Sequence, residues 1–303
     1  MKRIIFFCVF ILLIATGLFS EGIREKVSMR QTTPGAGTSV WKASKNGNII
    51  YLGGSVHILR ATDFPLPAEF DYAFAESEIL VLEADVEQLS NPEISQYLYS
   101  KLFLPGNTTL QSLLDFETYI RLSDACEEYG ISIADVDRMR PSMIMNILTL
   151  YQIQKFGFEE EGIDDNYHIK AQKENKPVLF LESVETQIDM LISLGEGYEN
   201  EYVAYSLADM ENTEKTLEIL MYEWKHGIEG SNGDTITEMI NDWPDMYKSL
   251  ITDRHDKWLP QIEAFIASGK VHFVVTGLLH MYGPDGILQR LKALGYTVEQ
   301  LKL

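Results

Sequence analysis

Two histidines stand out by what precedes them. Gly54-Ser55-Val56-His57 and Gly277-Leu278-Leu279-His280 are both Gly-x-x-His, and each follows an apolar run of strand character, Ile49–Leu52 and Phe273–Val275. Imidazole changes charge near neutral pH and is the commonest metal ligand. The glycine is expected to allow a backbone turn that other residues resist, which aims the ring over the end of the sheet. Ligands of open α/β sheets gather at such carboxyl ends. Two further apolar runs end in carboxylates: Ile79–Leu82 leads into Glu83 and then Asp85, and Val178–Leu181 leads into Glu182. Charge at the end of an apolar strand is costly unless it is paired or coordinated.

Four strand ends carrying His, Glu or Asp, Glu and His admit two chemistries. Imidazole and carboxylate together suit a divalent ion such as zinc, manganese, iron or cobalt. They equally make a metal-free acid/base set. One Gly-x-x-His is weak evidence, because most histidines after a strand are ordinary loop residues. Two at matching positions, 223 residues apart, carry more weight. Glu83 and Glu182 have a competing use as caps of following helices, most seriously Glu182, because residues 183–194 read as helical. Ser55 is too near His57 in sequence to be read as a triad nucleophile, and His168, His226, His255 and His272 read as surface or helix histidines. His-Glu-x-x-His, Gly-x-Ser-x-Gly, Cys-x-x-Cys and P-loop patterns are absent.

The elements that must position these groups follow from periodicity. Val40–Lys42 and Ile49–Leu52 flank Asn46-Gly47, the strongest short hairpin signal. The unbroken apolar runs 79–82, 178–181 and 273–275 suit strands covered on both faces, and 296–298 is a weaker strand. Helical patterns occupy 67–78, 110–129, 141–156, 198–226, 244–267 and 286–294, several stopped by glycine. Alternation of strand and helix predicts an α/β fold, a central mixed sheet with flanking helices. The largely helical stretches 90–160 and 185–268 are expected as insertions capping one end of that sheet.

Bulk properties narrow the partners. The chain has 303 residues, 46% of them apolar, and a formal charge of −20. So negative a charge excludes a phosphate-backbone partner, which needs clustered Lys and Arg, and disfavours anionic lipid. No nucleic-acid partner is expected. Lys2 and Arg3 followed by the apolar run 4–19 have the layout of a secretory signal. Residues 1–20 therefore read as a signal peptide or an N-terminal anchor, the one expected membrane contact; 21–37 read as a linker and 38–303 as a single domain. The expected location is periplasmic or extracellular. Cys126 is the lone cysteine past the export segment, so no internal disulfide is available.

Taken together, these residues resemble the TraB/GumN family, the pheromone-shutdown or TIKI-related group, over about residues 38–303. The resemblance rests on both Gly-x-x-His motifs, on Thr276–Leu288 with the following Leu294-Gly295-Tyr296, and on two central blocks, Gly162-Ile163-Asp164 and Leu181-Glu182-Ser183-Val184-Glu185-Thr186-Gln187. Arg254 precedes His255 where many members carry Arg-Asn, a departure that puts the role of position 255 in doubt. The resemblance implies a fold similar to erythromycin esterases and to a haem-binding lipoprotein group. It also implies a site of His57, Glu83, Glu182 and His280, with Arg254 as a supporting cation.

The expectation is an exported metal-dependent hydrolase, a peptidase acting on a peptide or protein. His57, His280 and Glu83 would ligate a divalent ion (Mn, Co or Zn), with Glu83 as third ligand or general base. Glu182 belongs to the catalytic set, and Arg254 would stabilise developing negative charge. Two rivals stay open: a non-catalytic protein that sequesters a peptide or haem through the same histidines, and a metal-free His–Glu hydrolase.

Overall fold

The computed structural model describes residues 37–303. The export segment expected at 1–20 and the linker expected at 21–37, save its last residue, lie outside the described residues. The residues expected to form one domain group into two compact units. A helical unit comprises 85–156 and 183–214; a sheet unit comprises the described residues up to Ala84, then 157–182 and 215–303.

The sheet unit contains β1 (Val40–Lys45), β2 (Asn48–Ser55), β3 (Ile58–Arg60), β4 (Ile79–Leu82), β5 (Phe158–Glu161), β6 (Val178–Phe180), β7 (His272–Gly277) and β8 (Thr297–Gln300). Six of these form one mixed sheet in the order β6-β4-β7-β2-β1-β8. β6, β4, β7 and β2 run parallel, whereas β1 is antiparallel to both β2 and β8. The β1–β2 hairpin turns at Asn46 (φ 53°) and Gly47 (φ 86°), the two positive φ angles of the turn type whose twist matches paired strands. β7 is central and buried throughout, which explains its unbroken apolar run. β6 departs from that expectation. It is an edge strand with Leu179 exposed, its apolar run serving one covered face and a sheet end.

β3 and β5 form a separate two-stranded ribbon that apolar patterning does not announce. It clamps the chain directly after His57 to the chain directly before Gly162. Helices Ala68–Glu76, Ile163–Glu174 and Asp253–Ala267 belong to the same unit, and Phe70, Phe74, Tyr167, Trp224 and Phe273 form its aromatic core.

In the helical unit, Pro141–Gln154 is buried along almost its whole length, and its Ser142 hydroxyl donates to the Ile192 carbonyl at 3.1 Å. The stretch 110–129 is broken into Leu110–Leu113 and Phe116–Glu128, because the Asp115 carboxylate caps a new helix start by accepting from the Thr118 N–H. The second helical stretch is shorter than expected as an insertion: the chain returns to the sheet unit at 215, and the long helix Asp253–Ala267 serves the sheet. No helix among the described residues is long and apolar enough to cross a membrane.

Candidate active site

The two Gly-x-x-His motifs lie side by side. β2 and β7 are parallel neighbours, and their register pairs Gly54 with Thr276 and Ser55 with Gly277. Both glycines have negative φ, so close approach, rather than the expected turn, is what favours glycine here. A Cβ at Gly54 would meet the Leu278 side chain at 2.5 Å. A Cβ at Gly277 would lie 3.3 Å from His57 Nε2, 3.5 Å from Glu83 Oε1 and 3.6 Å from His280 Cδ2. Three of the predicted site residues thus converge on one backbone position at the carboxyl ends of three adjacent strands, β4, β7 and β2. A methyl group there crowds both candidate reacting groups while leaving the strand pairing intact. Gly277→Ala is therefore expected to reduce turnover more than stability; equal losses in a rate assay and a urea melt would contradict this.

His57 is held from below. Gly162 starts helix Ile163–Glu174, and a Cβ on it would fall 2.4 Å from the His57 carbonyl carbon, so the helix start rests on the His57 peptide. The Ile163 N–H donates to the Val56 carbonyl at 3.1 Å. Asp164, in the first turn, then accepts from His57 Nδ1 at 2.9 Å and from the Ser55 hydroxyl on the same oxygen. All three side chains are buried. Burial opposes charge on His57, but the Asp164 carboxylate, its hydrogen bond and the nearby Glu83 outweigh this and hold the imidazole above its ordinary value. Trp224 steadies the motif from the other side: its indole N–H donates to the Gly54 carbonyl at 3.0 Å, and its own carbonyl accepts from the Ser39 hydroxyl at 2.8 Å.

Glu83, Glu182 and Arg254 form one ion cluster whose side chains are 7%, 6% and 4% exposed. The guanidinium Nε donates to Glu182 Oε1 and Oε2 at 3.1 and 3.2 Å, and Nη2 donates to Glu182 Oε1 at 2.7 Å and to Glu83 Oε2. Nη1 donates to His280 Nε2 at 2.8 Å and more weakly to the Leu250 carbonyl at 3.5 Å. Every N–H of Arg254 is therefore directed at a protein acceptor. The Trp258 ring lies under the guanidinium at 4.3 Å, and its N–H donates to Glu182 Oε2 at 3.1 Å. Glu83 Oε1 accepts from the Gly277 N–H at 2.7 Å. Glu182 does not cap the helix Val184–Ser193; the hydroxyl of Ser183 does that, accepting from the Thr186 N–H. Asp85, the alternative to Glu83 at this strand end, falls in the helical unit.

His280 is completely buried, and burial with the neighbouring guanidinium pushes its ionisation well below the ordinary imidazole value. Its Nδ1 lies 2.9 Å from Nε2 of His255, whose Nδ1 lies 2.7 Å from the Asp285 carbonyl. His255 is thus part of the cluster, not a surface or uninvolved helix histidine. It is buried and pushed down to about 4, chiefly by desolvation. Patterning misses it because one buried polar residue on an amphipathic helix reads like a solvent-facing one. Asp164 carries no periodic signal either and was legible only as part of the Gly162-Ile163-Asp164 block.

These shifts fix the sign of the pH dependence of stability. His255 and His280 have folded values below the unfolded value of about 6.5. As pH falls from there towards 4 the unfolded chain takes protons that the fold refuses, and stability drops. His57 is raised, so its contribution is complete below the unfolded value and is lost only as pH rises through its folded value. Below pH 6.5, His57 therefore offers no further compensation. The urea midpoint is expected to fall between pH 6.5 and 4, and a His255→Asn variant to show a shallower fall; identical slopes would contradict the assignment.

The fit of a divalent ion is decided by the donor set. His57, Glu83 and His280 converge, but His280 has both ring nitrogens engaged, and the group on its Nε2 is a cation. A metal there would displace a guanidinium held by two buried carboxylates. The residues as arranged do not fit the expected three-ligand ion.

Comparison with known proteins agrees with the resemblance in the sequence. The protein named Uncharacterized protein YbaP from Escherichia coli (strain K12) is 27% identical over 244 residues, covering 80% of this chain and 87% of that protein. The protein of the same name from Shigella flexneri matches to the same extent. No solved structure matches the chain. The match to the TraB/PrgY/gumN family spans residues 39–300, nearly all that the structure describes, and the chain belongs to that family.

Proposed function

We propose that this protein is an exported hydrolase acting on a peptide or protein substrate, with His57 as its general base. The observation that carries this reading is the convergence of a carboxylate-oriented histidine and a second carboxylate, Glu83, on Gly277 at the ends of adjacent parallel strands. In the reaction, His57 Nε2 takes a proton from water as the water oxygen bonds to the substrate carbonyl carbon. The imidazolium, favoured by Asp164 and Glu83, returns that proton to the leaving nitrogen as the C–N bond breaks. Arg254 holds Glu83 and Glu182 in place. The role in stabilising transition-state charge that the family resemblance suggests is hard to reconcile with its five committed N–H groups.

The metal-dependent form of the reading, with Mn, Co or Zn on His57, Glu83 and His280, requires Arg254 to leave His280. The haem-sequestering form makes the same demand of His280 as an axial ligand. Export is supported by Lys2, Arg3 and the apolar run at 4–19. An ancestry shared with erythromycin esterases and TIKI proteins, as the family resemblance implies, supports the hydrolase class.

The test is hydrolysis of a mixed peptide library by the purified protein after exhaustive chelation, with metal content measured beside it. Cleavage that survives chelation and is lost in His57→Gln supports the proposal. Cleavage restored only by added metal would replace it with the metal-dependent form, and no cleavage under any condition would sink the hydrolase reading.

A further inference from the structure

We infer that Arg254 at one end and the Asp285 carbonyl at the other fix both His280 and His255 in their Nδ1–H forms, with His255 as the positioning residue that receives the His280 proton, so that His280 is a permanent acceptor for Arg254 and takes no part in proton transfer. The argument uses only donors and acceptors. Arg254 can only donate, so His280 Nε2, 2.8 Å from Nη1, carries a bare lone pair. A neutral imidazole has one N–H, which must then be on Nδ1. That N–H points at His255 Nε2, 2.9 Å away, which must in turn be bare. The proton of His255 therefore sits on Nδ1, 2.7 Å from the Asp285 carbonyl, a group that can only accept. The chain has a pure donor at one end and a pure acceptor at the other, and two neutral imidazoles fill it in one way only. A proton added to either ring would set two donors facing each other.

The acceptor end is built firmly. The Asp285 carboxylate accepts from the Tyr247 hydroxyl at 2.7 Å, which pins the loop. A Cβ at Gly286 would lie 2.2 Å from the Tyr282 carbonyl, so only glycine closes this turn. Trp258 packs on both rings, with centroids 5.7 Å from His255 and 4.9 Å from His280. A fully buried histidine with both ring nitrogens engaged is a poor proton carrier. The two motif histidines, alike in sequence, are thereby split: His57 titrates and His280 does not. That consequence rests on the hydrolase reading, whereas the lock itself does not.

The experiment is a long-range proton–nitrogen correlation spectrum of the full chain labelled with 15N-histidine at pH 7, with His280→Gln and His255→Gln spectra to assign the signals. The expected result is the Nδ1–H form for both His280 and His255 in the wild type. His255→Gln, whose amide oxygen reaches the place of Nε2 and can still accept, keeps the hydrogen-bonded Nδ1–H signal of His280, whereas in His255→Leu the proton stays on Nδ1, held there by Arg254 on Nε2, and its signal moves upfield because its acceptor is gone. Either ring in the Nε2–H form in the wild type would overturn the lock, as would an Nδ1–H shift of His280 unchanged in His255→Leu. Should the leucine variant fail to fold, the wild-type and glutamine spectra decide alone, since loss of the Nδ1–H form in His255→Gln also overturns it. The spectra read the lock even in a protein without hydrolase activity. Where activity is present, turnover should fall in His255→Leu and recover in His255→Gln with the acid limb of the pH profile unmoved.

Discussion

Arg254→Met is expected to destabilise the protein by about 3–5 kcal/mol, the cost of removing one partner from a buried ion cluster. The methionine fills much of the volume and can still lie on Trp258, so the loss is electrostatic rather than a cavity effect. What remains is the carboxylates of Glu83 and Glu182, their side chains almost wholly covered, with the guanidinium that served three of their four oxygens gone. Lysine should not rescue the loss, because one point charge on a flexible stem cannot serve both carboxylates and His280 together. Removing the charges should: Arg254→Met combined with Glu83→Gln and Glu182→Gln is expected to recover a large part of the stability. Urea unfolding of the four proteins measures this. A cost under about 1 kcal/mol for Arg254→Met would mean that water reaches these carboxylates and that the cluster is not a buried network.

His57→Gln is expected to lower the rate of hydrolysis by about 10²–10⁴-fold, the usual contribution of a positioned general base, while the protein stays folded. Asp164→Asn gives the more diagnostic result. The base must be unprotonated to act, so wild-type activity rises as pH climbs through the raised His57 value. Without the Asp164 charge, desolvation pushes the imidazole the other way, and the acid limb should move to lower pH even as the maximal rate falls. The asparagine can still accept from His57 Nδ1, which separates the charge of Asp164 from its hydrogen bond. An acid limb that stays in place would assign the titration to another group and remove His57 from the base role.

Much of the frame was legible before any coordinates. The apolar runs of β2, β4 and β7 and the Asn-Gly turn are local patterns, and each produced the element it predicts. The residues that follow β2, β4, β6 and β7, namely His57, Glu83, Glu182 and His280, came from a single rule: polar groups at the carboxyl end of an apolar strand need a partner. Element boundaries inside helical stretches were less legible. The break at Asp115 depends on one capping side chain, which periodicity averages away.

The sequence by itself determined the six strands of the main sheet, the α/β class, the net acidic charge and the four residues at strand ends. Only the tertiary structure decided what those residues meet. The glycines of both motifs are favoured by close approaches between segments far apart in the chain, most severely at Gly54, not by their own dihedral angles. Asp164 reaches His57 across 107 positions, and Arg254 reaches Glu83 across 171. The reason is physical. Apolar periodicity records burial of a face, and burial is a local property of a strand or helix. Which donor meets which acceptor depends on the register of β2 on β7 and on where two helices, Ile163–Glu174 and Asp253–Ala267, set down their buried polar faces. That geometry commits His280 to a guanidinium, sets His57 apart as the histidine proposed to move a proton, and takes His255 from the bystanders into the site.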